Sequence, residues 1–393
     1  MAGAEILCKA DFATVADKKR TVERIERALT ELDGFLILGH KNADEDCVAS
    51  MVAFGLLASK LNKSVFLYLH GKVHKQFGYL VSICTYNSIR VLGDDEIPPV
   101  PIQAIVLLDT PKDEMIEASP ELHAIANKPG TLRIEVDHHL GADSTYFGDE
   151  GYRLVGASSS SAELVGYLAL KIDADPDFRK RFGNGELLSR NFVLAVLTGI
   201  IADSRMGTFL KTRREKQFYE RFSGLFDKLL AQKTVKGSGN FASKEEVYAA
   251  LTALSTDEER CYRFLIGKRG KTGSVDHVVL DAADAQLIYK VYGEDTMTAV
   301  AKAVADALAE ENGRLGLVAY PDPPDLSDFH QFRLRRSQSY QGLDLRSVLE
   351  TFSIANGGGH PGAIGFRFER STVSDFAAFA AGMIAKIDGL IPS

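Results

Sequence analysis

His40, Asp44 and Asp46 follow one another closely, directly after the apolar run Phe35-Leu36-Ile37-Leu38. The apolar run Ile102–Leu108 stops at Asp109, and the run Thr131–Val136 stops at Asp137-His138-His139. A fourth apolar stretch, Leu187–Ile201, leads into Asp203. Imidazoles and carboxylates suit divalent cations of the manganese and magnesium type better than a soft thiolate site. One ion would leave part of this set unused. Two ions about 3.5–4 Å apart, sharing a carboxylate, would use it, and two such ions are the chemistry of phosphoryl transfer to water. Each residue also has a structural reading: an Asp after a strand can cap a turn, and a His near a turn can be a hydrogen-bonded core residue. Adjacent His138 and His139 resist that reading, because strand neighbours point to opposite faces.

The elements around these residues explain how they could meet. Phe35–Leu38 reads as a buried strand and Cys47–Leu57 as a helix, with the His and Asp residues in the turn between. Val22, Ile25, Ala28, Leu29 and Leu32 have the spacing of an amphipathic helix over 18–32. Further strands are expected at 64–69, 102–108 and 131–136. Helices are expected at 158–170, capped by Ser160 with Glu163 in the capping-box position, and at 187–201. Strands alternating with helices predict an α/β fold: a mainly parallel sheet with helices on both faces. The carboxyl ends of parallel strands share one edge, which is where ligands bind in such sheets.

The pattern changes after Lys211. Residues 212–273 read as a helical insertion or linker, with polar breaks at 236–240 and at the basic, glycine-rich 267–273. A smaller α/β C-terminal domain is expected over 274–393. Its strands fall near 275–280, 315–320, 329–335 and 363–369, and its helices near 283–291, 295–310, 344–353 and 373–386. Residues 1–211 then form the first domain, and a cleft between two domains would favour short substrates.

With 393 residues, 45% of them hydrophobic, the chain can bury a large core. A net charge of −7 and a pI near 5.8 argue against charge-driven binding of long duplex DNA. Cys8, Cys47, Cys84 and Cys261 lack any CxxC spacing, which fits a reducing, cytoplasmic setting rather than a disulfide framework. No apolar run reaches the roughly 18 residues of a membrane span, so no membrane partner is expected.

His40-x-x-x-Asp44-x-Asp46, Asp109 after two leucines, Asp137-His138-His139, and Gly199-Ile200-Ile201-Ala202-Asp203 resemble, in order, the four motifs of the DHH phosphoesterases. Asn356-Gly357-Gly358-Gly359-His360 resembles the glycine-histidine signature of the small C-terminal domain in members that degrade oligonucleotides. The likeness spans roughly 18–210 and 275–386. Asn42-Ala43 stands where many members have a proline before the first Asp, and Asn356 where a fourth glycine can occur.

The resemblance implies two divalent cations, manganese first, with magnesium or cobalt as alternatives. His40, Asp44 and Asp109 would hold one. Asp46, Asp109, His138 and Asp203 would hold the other, with Asp109 bridging. It implies His139 beside the scissile phosphate and Asp137 orienting it. It implies substrate contacts from Gly357, Gly358, Gly359, His360 and either Arg335 or Arg336, and a homodimer. The expected activity is metal-dependent hydrolysis of short oligonucleotides, linear or cyclic dinucleotides, or phosphoadenosine phosphate to mononucleotides. Hydrolysis of pyrophosphate or polyphosphate on the same metal core is the alternative enzyme reading, although the glycine-histidine signature leans away from pyrophosphate. A catalytically idle nucleotide-binding protein is the alternative of another class.

Overall fold

The computed structural model describes residues 8–71, 75–182, 187–230 and 241–391; the polar break expected at 236–240 lies outside them. The chain separates into two compact units, Met1–Leu251 and Thr252–Ser393. The first contains β1 (Cys8–Lys9), α1 (Val15–Glu31), β2 (Phe35–Leu38), α2 (Glu45–Lys60), β3 (Val65–Tyr68), α3 (Gly78–Tyr86), β4 (Arg90–Leu92), β5 (Ala104–Leu108) and α4 (Pro120–Ala126). It continues with β6 (Leu132–Asp137), β7 (Gly141–Thr145), β8 (Arg153–Val155), α5 (Ser161–Ala174), α6 (Pro176–Phe182), α7 (Arg190–Ser204) and α8 (Arg213–Leu230). Helix α9 (Lys244–Thr252) ends at the division between the units.

Its main sheet runs β4-β3-β2-β5-β6-β8, and all of these pairs are parallel. The alternation of side chains along each strand serves two cores. Phe35 and Ile37 join Ala104, Val106 and Leu108 on the face covered by α1, α2, α5 and α7. Leu36 and Leu38 join Ile105 and Leu107 on the opposite face, against Leu122 and Ala126 of α4. The continuously apolar strand sequences follow from this double cover. Helix α2 is buried on all sides from Asp46 to Ala58, as its all-round apolar sequence requires. Removing the ring of fully buried Phe54 would cost about 3–5 kcal/mol.

Helix α5 begins three residues later than expected, with Ser160 as its cap: the Ser160 Oγ accepts the Glu163 N–H at 3.0 Å. The Glu163 carboxylate bonds Ser159 instead of returning to the cap backbone, so the reciprocal half of the expected box is displaced by one residue. Helix α7 likewise extends past Ile201 to Ser204, which places Asp203 in its last turn.

The stretch 212–273 divides between the units. Phe222 and Phe226 of α8 enter the first core, while Cys261 and Leu265 of α10 (Thr256–Ile266) enter a core of the second. The basic, glycine-rich break is itself a strand: β9 (Arg269–Thr272) forms an antiparallel hairpin with β10 (Val275–Val279), turning at Gly273 with φ +55°. The second unit then runs α11 (Ala282–Tyr292), α12 (Glu294–Asn312), β11 (Leu315–Pro321), β12 (Phe329–Arg336), α13 (Arg346–Thr351), β13 (Gly357–His360), β14 (Ala363–Glu369) and α14 (Phe376–Asp388). Its sheet order is β13-β14-β12-β11-β10-β9. Strands β10 and β11 are parallel, joined through α11 and α12, and the other pairs are antiparallel. Among the described residues, no helix is long and apolar enough to cross a membrane.

Candidate metal centre

The strand order of the first sheet reverses between β2 and β5: the chain leaves β2 toward β3 and β4, then returns to build β5, β6 and β8 on the other side. The carboxyl ends of such a pair flank a crevice. From β2 come His40, Asp44 and Asp46, and from β5 comes Asp109. The turns are sharp. Asn42 (φ +55°) and Asp109 (φ +50°) take the left-handed conformation, which short polar side chains tolerate better than most. Gly39 is required because a β-carbon there would lie 2.8 Å from Met51 Sδ and closer still to Cys47 Sγ.

Asp44 caps α2, its carboxylate accepting the Cys47 N–H at 3.2 Å. Asp46 is 1% exposed and lies at the N-terminus of α5, where it accepts the Ser161 and Ala162 N–H groups at 2.6 and 3.0 Å. A carboxylate is favoured at that end of a helix dipole. Asp109 is also buried, and its Oδ1 accepts the Ser161 hydroxyl at 2.9 Å. Gly199 of α7 makes room for this arrangement: a methyl there would lie 2.5 Å from Ala162 Cβ and still nearer to Asp46 Oδ1.

The histidines are held by one ring nitrogen each. His40 Nδ1 is 2.7 Å from the Lys41 carbonyl, and its Nε2 lies 3.8 Å from Asp44 and 3.9 Å from Asp109 Oδ2. His138 Nδ1 is 3.4 Å from the Ser158 carbonyl. Its Nε2 lies 3.4 Å from Asp109 Oδ1, 3.5 Å from Asp203 and 3.9 Å from Asp46. A carbonyl on one nitrogen fixes the tautomer and directs the other nitrogen, which is the arrangement ligating histidines use. The two oxygens of Asp109 thus face different histidines: Oδ2 faces His40, and Oδ1 faces His138 and, at 3.6 Å, His139 Nδ1. Asp46, His138 and Asp203 offer ligand atoms within 4.8 Å of one another, as do His40, Asp109 and Cys47.

The charges fit a cation. Burial, then the nearby Asp109, push the Asp46 carboxyl well above its ordinary range; burial and Asp46 do the same to Asp203. Burial would pull His138 down, but Asp109, Asp203 and Asp46 together raise it well above the usual imidazole value. Carboxylates crowded in this way bind protons or divalent ions, and the donor set of oxygens and imidazoles suits the latter.

His139 is placed differently. Its Nδ1 is 2.8 Å from Asp137 Oδ1, and its backbone N–H donates to the same oxygen at 3.1 Å. Burial would raise Asp137, yet His139 and Lys9 outweigh it and hold the carboxyl well below its usual range. A carboxylate at Asp137 calls for the tautomer of His139 that carries its proton on Nδ1.

The remaining predicted residues lie in the second unit. Gly357–His360, where substrate contacts were expected, is strand β13 paired with β14. Gly359 (φ +139°) is forced, since a β-carbon would strike Ala363 and Ile364. Arg335 is buried against Asp306 at 3.2 Å and donates to the Leu334 and Ile364 carbonyls. Arg336 donates to the Leu343 carbonyl and to Gln341.

The sequence assigned no site role to Ser161, Ala162, Gly199, Cys47 or Lys9. The Ser160 cap signalled where α5 starts, but a helix start carries no sign of what it faces.

Residues 34–200 match the DHH family, N-terminal domain. A search of curated proteins gave no match. Among solved structures, an exopolyphosphatase-related protein from Bacteroides fragilis is 17% identical, with 95% of this chain and 97% of that chain covered and a TM-score of 0.65. That likeness is one of fold. A putative family II inorganic pyrophosphatase from Methanococcus jannaschii (16% identity, 86% and 94% covered) scores 0.38. A pGpG-specific phosphodiesterase from Vibrio cholerae (10% identity, 92% and 100% covered) scores 0.35. Neither of these two scores supports an argument. The motif match and the convergence of its residues on one sheet edge lead to one statement: residues 34–200 of this chain form a DHH family N-terminal domain.

Proposed function

We propose that this protein is a two-metal phosphoesterase that hydrolyses short oligonucleotides, linear or cyclic dinucleotides, or phosphoadenosine phosphate to mononucleotides. The observation that carries the metal reading is Asp109, whose Oδ2 faces His40 and whose Oδ1 faces His138. His40, Asp44 and Asp109 would hold one divalent cation, and Asp46, Asp109, His138 and Asp203 the other, with manganese the first expectation. Two bound cations would offset the charge of the phosphoester and make a water a better nucleophile near neutral pH.

The chain's own groups account for the rest. The Ser161 and Ala162 N–H groups hold Asp46, and the Ser161 hydroxyl holds Asp109, so both carboxylates keep fixed orientations. Asp137 takes the Nδ1 proton of His139 as a hydrogen bond, which makes Nε2 the nitrogen that addresses the substrate. As an imidazolium, His139 would donate from Nε2 to the phosphate or to the departing oxygen, a general-acid contribution of about 10²–10⁴-fold.

In the second unit, Gly357, Gly358, Gly359 and His360 are proposed to bind nucleotide, since a glycine backbone admits close approach. A phosphate contact by Arg335 or Arg336 would require exchange of Asp306, or of Leu343 and Gln341. The test is a substrate panel with manganese: a linear dinucleotide, a cyclic dinucleotide, phosphoadenosine phosphate, pyrophosphate, polyphosphate and a long single strand. The reading expects the fastest turnover among the first three. Faster cleavage of pyrophosphate, polyphosphate or the long strand overturns the substrate class, and turnover of none with any divalent ion overturns the enzyme.

A further inference from the structure

A lysine is sealed beneath His139. Strand β1 pairs with β7 and places Lys9 opposite Gly141. Lys9 is 2% exposed, and Glu135 and Asp137 are 0% exposed. Its ammonium makes three contacts, matching its three donors: Asp137 Oδ2 at 2.5 Å, Glu135 Oε1 at 2.8 Å and the Thr110 carbonyl at 2.6 Å. Burying an ammonium costs several kcal/mol before its partners are counted.

The partners indicate what this lysine does. Thr110 directly follows Asp109, so Lys9 braces the turn that presents the Asp109 carboxylate. Glu135 has further donors of its own, the Phe147 and Gly148 N–H groups. Asp137 divides its two oxygens: Oδ2 goes to Lys9, and Oδ1 goes to the His139 backbone and ring. Without Lys9, the Asp137 carboxylate could rotate and present either oxygen. With Lys9, one oxygen is pinned from behind and the other is aimed at the imidazole.

We propose that Lys9 is a positioning residue: by holding Asp137 Oδ2 it fixes the tautomer and ring orientation of His139, and by holding the Thr110 carbonyl it steadies the turn carrying Asp109. The functional part of this inference rests on the reading of His139 as the group that meets the scissile phosphate. The structural part stands without it. Covalent chemistry is not asked of Lys9, and it reaches no reacting atom.

The test uses the full chain as Lys9→Met and as Lys9→Met/Glu135→Gln. Met keeps the apolar stem and removes the charge, which leaves two buried carboxylates uncompensated, so the single variant is expected to melt lower. The double variant restores the charge balance of the pocket and is expected to recover much of that stability without restoring the hold on Asp137. Two readouts follow.

In metal-free protein labelled at the histidine ring nitrogens, the nitrogen NMR signals report the tautomer. The natural chain is expected to hold His139 protonated at Nδ1, and the double variant to show a mixture. With manganese and the substrate that the panel selects, kcat in the double variant is expected to fall about 10–100-fold, with KM changed by less than about threefold. If kcat recovers along with the melting temperature and His139 keeps its Nδ1 proton, Lys9 serves stability alone and the proposal is overturned. If the natural chain hydrolyses no phosphoester, the proposed function fails, while the tautomer comparison still decides the role of Lys9.

Discussion

Gly199→Ala separates packing from helix propensity at the candidate centre. Gly199 lies inside α7, where alanine is intrinsically favoured by about 1 kcal/mol. The added methyl would sit 2.5 Å from Ala162 Cβ and press on the Asp46 carboxylate. Carbon atoms rest about 3.5–4.0 Å apart, so α5 and α7 must separate by about 1 Å in a close-packed interior. Overpacking of this kind costs about 1–3 kcal/mol. The same displacement stretches the two N–H bonds from α5 to Asp46, which are charge-assisted and worth about 1.5–3 kcal/mol each if lost. After the propensity gain, the net cost is about 1–3 kcal/mol. That lowers the melting temperature of a unit this size by roughly 2–12 °C. Gly224 in α8 supplies the control, because a β-carbon there meets nothing within 4 Å. Gly224→Ala is expected to be neutral or stabilising by up to about 1 kcal/mol. Thermal and denaturant melts of both variants, with manganese binding measured by titration, check the reasoning. It expects opposite signs for one chemical change, and weakened manganese binding in Gly199→Ala alone. A Gly199→Ala protein that melts like Gly224→Ala and binds manganese normally refutes it.

Three further outcomes are expected. Glu26 is pushed up to about 7 by burial and then by the neighbouring Asp175. A raised carboxyl favours folding fully below its unfolded value near 4.5, and that contribution is lost as pH rises through about 7. Glu26→Gln should therefore gain melting temperature relative to the natural chain between pH 5 and pH 8; a constant difference across that range contradicts the assignment. His139→Asn should lower kcat by about 10²–10⁴-fold with manganese content unchanged, because His139 is outside the proposed ligand set; lost metal contradicts it. Protein dialysed against a chelator should lose hydrolysis and melt lower, and manganese at about 100 times its Kd should return about 2.7 kcal/mol for each site filled. A melt indifferent to manganese contradicts the centre.

Much of the site was legible because its residues end apolar runs. Asp109 follows β5, Asp137 ends β6 and His40 follows β2, and in a parallel sheet these positions share an edge whatever lies between them. The residues that hold the ligands were not legible. Ser161 and Ala162 act through backbone N–H groups, which every residue but proline carries. Lys9 lies in a two-residue strand, too short to leave a periodic trace. Gly199 sits in an apolar helix where its need for space depends on Ala162 and Asp46, distant in sequence. In the second unit, the helices and long strands were read within a few residues of their ends. Strands β9 and β13 were not, because glycines weaken a strand signal, whereas pairing with β10 and β14 supplies the order that their sequences lack. The arginine pair on β12 was legible as charge, but its neighbours were not, because charge in a sequence does not reveal its partner, here Asp306 for Arg335 and the Leu343 carbonyl for Arg336.

Anomalous diffraction from crystals grown with manganese tests the central claim most directly. Two peaks about 3.5–4 Å apart are expected on either side of Asp109, one among His40, Asp44 and Asp109, the other among Asp46, Asp109, His138 and Asp203. A single peak, or peaks that leave Asp109 bound to one ion, would contradict it.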